Sequence, residues 1–358
     1  MRFWSLLGLG LLAASPAQAA LDYAGLLTLA ADGPIIASYQ DFQSQTDALK
    51  QSVESFCAAP DAGGLEAART AFHATTDSWQ QVQWIGYGPV EAFHRGQRVQ
   101  FWPDKKNAGD RQMLALLKDR KADAVDPNRV VFASVAIQGL PALEMLLFGD
   151  GQADKVLAGG DETALRCRLI SGIAHNLNRI GGELVHEWAK PDGFTALLKN
   201  AGTGANPYAD HRQAASQMFN ALHGQLSAIT EVKLAHPLGA AAAEARPGRS
   251  ENWRSKRSAR NIDINLESMR AVFAASFAPI LAANGKSAAA DRFLAALTEA
   301  QATLRKLPAP MEVAMTDPEG WKQLAGVKAK IKAAALILET DIANALDLQV
   351  GFNALDGD

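Results

Sequence analysis

Apolar side chains recur at steps of three and four along most of the chain. Leu165, Leu169, Ile173, Leu177, Ile180, Leu184 and Trp188 mark one face of a long segment. Met218, Leu222, Leu226 and Ile229 repeat the pattern, as do Leu266, Met269, Phe273, Phe277 and Ile280. A last stripe runs through Leu324, Val327, Ile331, Leu338, Ile342 and Leu346. Such spacing puts an apolar band on one side of a helix and leaves the other side for water. No run alternates with a period of two between turn residues, so the pattern predicts an all-α protein.

The breaks fall where loops of a helical bundle belong. Pro60-Asp61-Ala62-Gly63-Gly64 separates a first helix from a second, and Gly159-Gly160-Asp161 precedes the helix that ends near Lys190. The widest Gly/Pro-rich gap, Gly202-Thr203-Gly204-Ala205-Asn206-Pro207, marks the boundary between two halves. The expected organisation is an N-terminal helical half over residues 20–200 and a C-terminal half over 205–350, packed together as one unit.

Residues 1–19 read as an export signal. Arg2 gives the positive start, Leu6 to Ala14 the short apolar core, and Ser15-Pro16-Ala17-Gln18-Ala19 a small-x-small cleavage site. The mature chain is expected to begin near Ala20, in the periplasm, with no transmembrane span. An oxidising compartment bears on Cys57 and Cys167, the chain's two cysteines. They form either one disulfide closing a loop of about 110 residues, worth roughly 4–5 kcal/mol, or two buried thiols.

Composition narrows the function. A hydrophobic share of 48% over 358 residues can build a sizeable core, and a net charge of -3 gives no global field for nucleic acid. Chemistry must therefore come from local clusters. Two stretches escape the helical pattern and are rich in aromatic and charged residues: Gly86 to Asn107, and Arg246 to Asn261.

One carboxylate stands out. Glu144 sits inside the apolar run Gly139-Leu140-Pro141-Ala142-Leu143-Glu144-Met145-Leu146-Leu147-Phe148, which as a helix is buried nearly all round. A buried acid must meet an arginine, a metal or a set of donors, or else take up a proton. Arg254, Arg257 and Arg260, three residues apart beside Trp253, supply one helical face of guanidinium groups suited to carboxylates or oxyanions. One of them, or Arg98, is expected to neutralise Glu144 or to hold an anionic ligand. Ser258 and Asn261 are candidate caps of the helix that follows. Asp104 and His94 are further binding candidates.

Glu91 and His94 have the Glu-x-x-His spacing of half a di-iron carboxylate site. The second copy, Glu183 to His186, puts His186 opposite its helix's apolar stripe, so it offers no credible partner. Glu144, His94 and Glu91 remain the candidate metal ligands. Neither Gly-x-Ser-x-Gly nor His-Glu-x-x-His occurs.

The segment from Gly139 to Glu144 resembles the Gly-x-His-x-x-Glu signature of the imelysin family (peptidase family M75), with Pro141 where the family carries histidine. Glu91-Ala92-Phe93 resembles a second family segment. The resemblance implies an all-α fold of two bundle-like halves, a site where they meet, export, and a part in bacterial iron uptake. It also implies a metallopeptidase ancestry. Proline has no lone pair, and hydrolysis needs a held metal to activate water. The reading is thus a binding protein for iron acquisition, whose cofactor or cargo is iron, another divalent metal or an iron-containing ligand. The alternatives are an M75-type metallopeptidase and a scaffold that docks a protein partner in the cell envelope.

Overall fold

A computed structural model describes residues 20–120 and 129–351; the export segment expected over residues 1–19 lies outside the described residues. Among the described residues every regular element is helical. Before the Gly202–Pro207 gap come α1 (Tyr23–Ala30), α2 (Ile36–Ala58), α3 (Ala62–Val82), short α4 (Arg95–Val99), α5 (Ala108–Asp119) and α6 (Leu140–Phe148). The chain continues through α7 (Gln152–Val156), α8 (Gly160–Ala189) and α9 (Phe194–Lys199). After the gap come α10 (His211–Ser227), α11 (His236–Leu238), α12 (Ser258–Val272), α13 (Ala278–Ala283), α14 (Ser287–Leu304), α15 (Met311–Ala314) and α16 (Pro318–Ile337).

The stripes explain the packing. All seven marked positions of α8 are buried, and this face lies along α2, which packs its other side on α3. Each such aliphatic side chain contributes about 1.5–3 kcal/mol on leaving water. After the gap α14 lies between α12 and α16, and α10 closes against α16. Asp61 starts α3 by accepting a hydrogen bond from the Gly64 N–H at 2.6 Å, which satisfies a donor the helix cannot. Cys57 and Cys167 are joined in a disulfide, with Cα atoms 5.5 Å apart, that ties the end of α2 to α8.

Helices from before and after the Gly202–Pro207 gap pack on one another. α3 packs against α12, and α1 packs against α10 and the π-helical stretch Phe273–Phe277. Tyr23 Oη donates to the Leu346 carbonyl at 2.7 Å, tying the two ends of the described chain. That π stretch also joins α12 and α13 into one helix, Ser258–Ala283. Among the described residues this is the one helix long and apolar enough to cross a bilayer, a test that the core helix of a globular protein also passes. Its Leu266, Met269, Phe273 and Phe277 are nevertheless buried in the protein's own core.

Candidate functional site

The signature helix begins at a crowded point. A Cβ on Gly139 would stand 2.3 Å from the Val99 carbonyl oxygen and 2.6 Å from that of Arg98, so only glycine lets α6 approach the α4 backbone. Pro141 follows in the first turn, where its missing N–H leaves no intrahelical bond unmade. Three residues on, Glu144 is buried, with 2% exposure.

What meets Glu144 is Ser255. The Ser255 N–H donates to Glu144 Oε1 at 2.9 Å, and the Ser255 hydroxyl donates to the same oxygen. Burial pushes the Glu144 pKa up, while these two bonds and the nearby charge of Arg254 oppose the rise without cancelling it. The expectation of a guanidinium directly on this acid is therefore corrected. Tight turns at Asn252 and Lys256, both at positive φ, present the Ser255 backbone to α6.

The arginines are engaged elsewhere. Arg254 pairs with Asp110 at 2.6 Å and lies over the Trp253 ring, 4.5 Å from its centroid. Arg257 is buried at the seam and bonds Asp77, the His73 carbonyl and Asn261 Oδ1. Arg260 grips Asp77 from the exposed side. Burial alone would raise the Asp77 pKa, but these two guanidinium groups outweigh it and hold it below the usual range. Arg98 donates to Gln138 Oε1 and the Val131 carbonyl. Ser258 and Asn261 do not cap α12 as expected. Ser258 Oγ donates to Glu312 and to the Glu251 carbonyl, Asn261 donates to Glu251, and Glu312 accepts the Ser258 N–H.

A cavity of about 630 Å³ opens beside α6. Of the residues singled out from the sequence, it brings together Glu144, Asp104, Trp253 and Arg254, with Pro141 in the same wall. Trp102, Lys105, Asp110, His236, Arg249 and Ser250 also line it. Glu91 and His94 are exposed and line no part of it, and Arg98, Arg257 and Arg260 stand outside it too. Asp104 accepts the Gly109 N–H at 2.7 Å, so it fixes the start of α5. The His236 pKa is lowered by burial first, then by Arg249 and Lys105.

These groups do not fit a resident metal ion. Pro141 offers no lone pair, Ser255 occupies one oxygen of Glu144, and Arg254 occupies Asp110. Among the described residues no three His, Cys, Asp or Glu side chains gather closely enough to hold one. The cavity can instead enclose a ligand between aromatic walls and charged rims.

Sequence reasoning missed a buried ion pair next to this loop. Lys233 Nζ stands 2.6 Å from Glu251 Oε2, and also donates to Gln80, Gln83 and Asn265. Gln83, Gln100 and Asn261 donate to Glu251. Burial pushes the Lys233 pKa down, with Glu251 opposing. For Glu251 burial acts upward, but Lys233 and its other donors outweigh it and lower the pKa. The network joins α3, α12 and the Ser250–Lys256 turn, so it fixes the loop that supplies Ser255, Trp253 and Arg254. Its signal in the sequence was Lys233 itself, seven residues after Leu226 on an apolar stripe.

Comparisons with known proteins agree with this architecture. The sequence profile of the imelysin family (peptidase M75) matches residues 35–337. Iron-regulated protein A of Synechococcus elongatus is 24% identical over 210 residues, which are 58% of this chain and 53% of that protein. The chain thus matches about half the length of that relative. Among solved structures, an imelysin-like protein from Psychrobacter arcticum superposes with a TM-score of 0.76 at 18% identity, covering 92% of this chain and 97% of that one. A protein assigned as an iron-regulated protein A precursor, from Parabacteroides distasonis, gives 0.75 at 15% identity, covering 90% and 96%. At such identities the superpositions establish the fold alone. The match of the family profile over most of its length establishes more: this chain belongs to the imelysin family.

Proposed function

We propose that this protein is an exported, periplasmic binding protein that serves iron acquisition and does not hydrolyse peptide bonds. The observation that carries the reading is Pro141 in the wall of the cavity, where the family signature has histidine. Without that ligand, and with Glu144 held by Ser255, nothing on α6 can hold a metal in the open coordination that activates water. The iron link is supported by the name of the Synechococcus relative, and export by the apolar leader and by a disulfide suited to an oxidising compartment.

Isothermal titration with ferrous iron, ferric iron, haem and zinc at micromolar concentration tests this reading. Binding of an iron form is expected, and silence from all four argues against it. One feature favours a second reading, an M75-type metallopeptidase: His236 lines the same cavity as Glu144 and is the histidine placed to replace the missing one. Chelator-sensitive cleavage of a denatured protein, abolished by Glu144→Ala, would establish it.

A further inference from the structure

The acids of the cavity are all engaged within the protein. Asp104 accepts from the Gly109 N–H, Asp110 is neutralised by Arg254, and Glu144 is held by Ser255. The donors are not. Arg249, exposed on the rim, makes no ion pair among the described residues, and His236 stands close enough to feel its charge. Ser250, next in the chain, is 1% exposed and lines the cavity, yet its hydroxyl has no hydrogen-bond partner. A buried hydroxyl without a partner costs about 1–3 kcal/mol, so the site is incomplete until something accepts from it.

Bare cations are poorly served by such a lining. An aqueous metal ion would meet carboxylates whose charge is already partly spent on Ser255, Arg254 and the Gly109 N–H, and would approach an uncompensated guanidinium. An oxyanion meets the opposite situation: a free planar fork, a ring N–H and an orphan hydroxyl, with Trp102 and Trp253 to cover the rest of the ligand. The space exceeds what a single hydrated ion needs.

We propose that the cavity takes a carboxylate-bearing anion, and that iron enters it as a negatively charged chelate rather than as a free ion. Arg249 docks a carboxylate at the rim, Ser250 donates from the floor, and Trp253 packs against the chelate. The iron part of this inference rests on the function proposed above; the anion part rests on the lining alone.

The test titrates the full mature chain with citrate, with ferric citrate and, under anaerobic conditions, with ferrous sulfate free of chelator. The same titrations follow for Arg249→Glu. Arg249 is exposed and unpaired, so this variant should keep the wild-type melting temperature. Ferric citrate should bind wild type at least as well as citrate, and Arg249→Glu should weaken both by roughly tenfold or more, the scale of one charge-assisted contact. Citrate binding that depends on Arg249, with no iron form bound more tightly, would uphold the anion site and remove iron as its cargo. Ferrous ion bound equally by both proteins, with citrate ignored, would overturn the anion site and leave the iron function standing. No binding of any of the three would remove both.

Discussion

Ser255 holds Glu144 across 111 residues of sequence, through its backbone N–H and its hydroxyl together. The contact joins the signature helix α6 to the irregular loop before α12. It leaves Glu144 a buried acid with a raised pKa, not one arm of a salt bridge.

A pH dependence follows from that shift. An acid whose folded pKa exceeds its unfolded value binds protons more readily in the folded state. Its stabilising share is therefore largest in acid and falls as pH rises from about 4.5 through the folded pKa. Glu144→Gln removes this contribution. Across that window the variant should gain stability relative to wild type, and Ser255→Ala, which loses the hydroxyl bond but keeps the backbone N–H bond, should show a somewhat steeper loss than wild type because the hydroxyl bond opposes the rise. Urea midpoints measured at several pH values check both, and parallel profiles for all three proteins would be inconsistent with the assignment.

The Lys233–Glu251 pair should be costly to break from one side. Lys233→Met leaves a buried carboxylate uncompensated and should destabilise by about 3–5 kcal/mol. Lys233→Met with Glu251→Gln removes the stranded charge and keeps groups for Gln83, Gln100 and Asn261 to bond, so it should recover a large part of the loss. Denaturant unfolding of the single and double variants decides, and simple additivity would speak against a coupled pair.

Gly139→Ala should destabilise by about 1–3 kcal/mol, because its Cβ would overlap the Val99 carbonyl and force α6 away from α4. The thermal midpoint reads the effect. Pro141→His, facing the cavity instead of backbone, should fold normally, and should bind zinc at least about tenfold more tightly than wild type if the proline is what removes the ligand.

Removing the disulfide with Cys57→Ser and Cys167→Ser should lower stability by roughly 4–5 kcal/mol, given a closed loop of 110 residues. Melting of the oxidised protein, the reduced protein and the double variant gives the value. Equal midpoints would show that the bond contributes nothing.

The helices were legible because an amphipathic stripe is a local property: every marked residue of α8, from Leu165 to Trp188, is buried. Glu144 was legible for the same reason, as a charge inside an apolar run. Its partner was not. Which donor reaches a buried acid depends on how a distant loop turns, and the three-residue spacing of Arg254, Arg257 and Arg260 carried no information about that turn. Arg257 and Arg260 go to Asp77, an acid on α3 that the sequence pattern did not single out. His236, without a motif around it, and Arg249, one of several arginines in the Arg246–Asn261 stretch, became candidates only once the cavity brought them beside Asp104 and Trp253.

Hydrogen–deuterium exchange of the intact protein, with and without saturating ferric citrate, tests most directly whether this cavity is the binding site. The account predicts slowed exchange centred on residues 101–107 and 248–255, the two irregular segments that line it, and on His236. Unchanged exchange there, or protection centred on a different face, would contradict it.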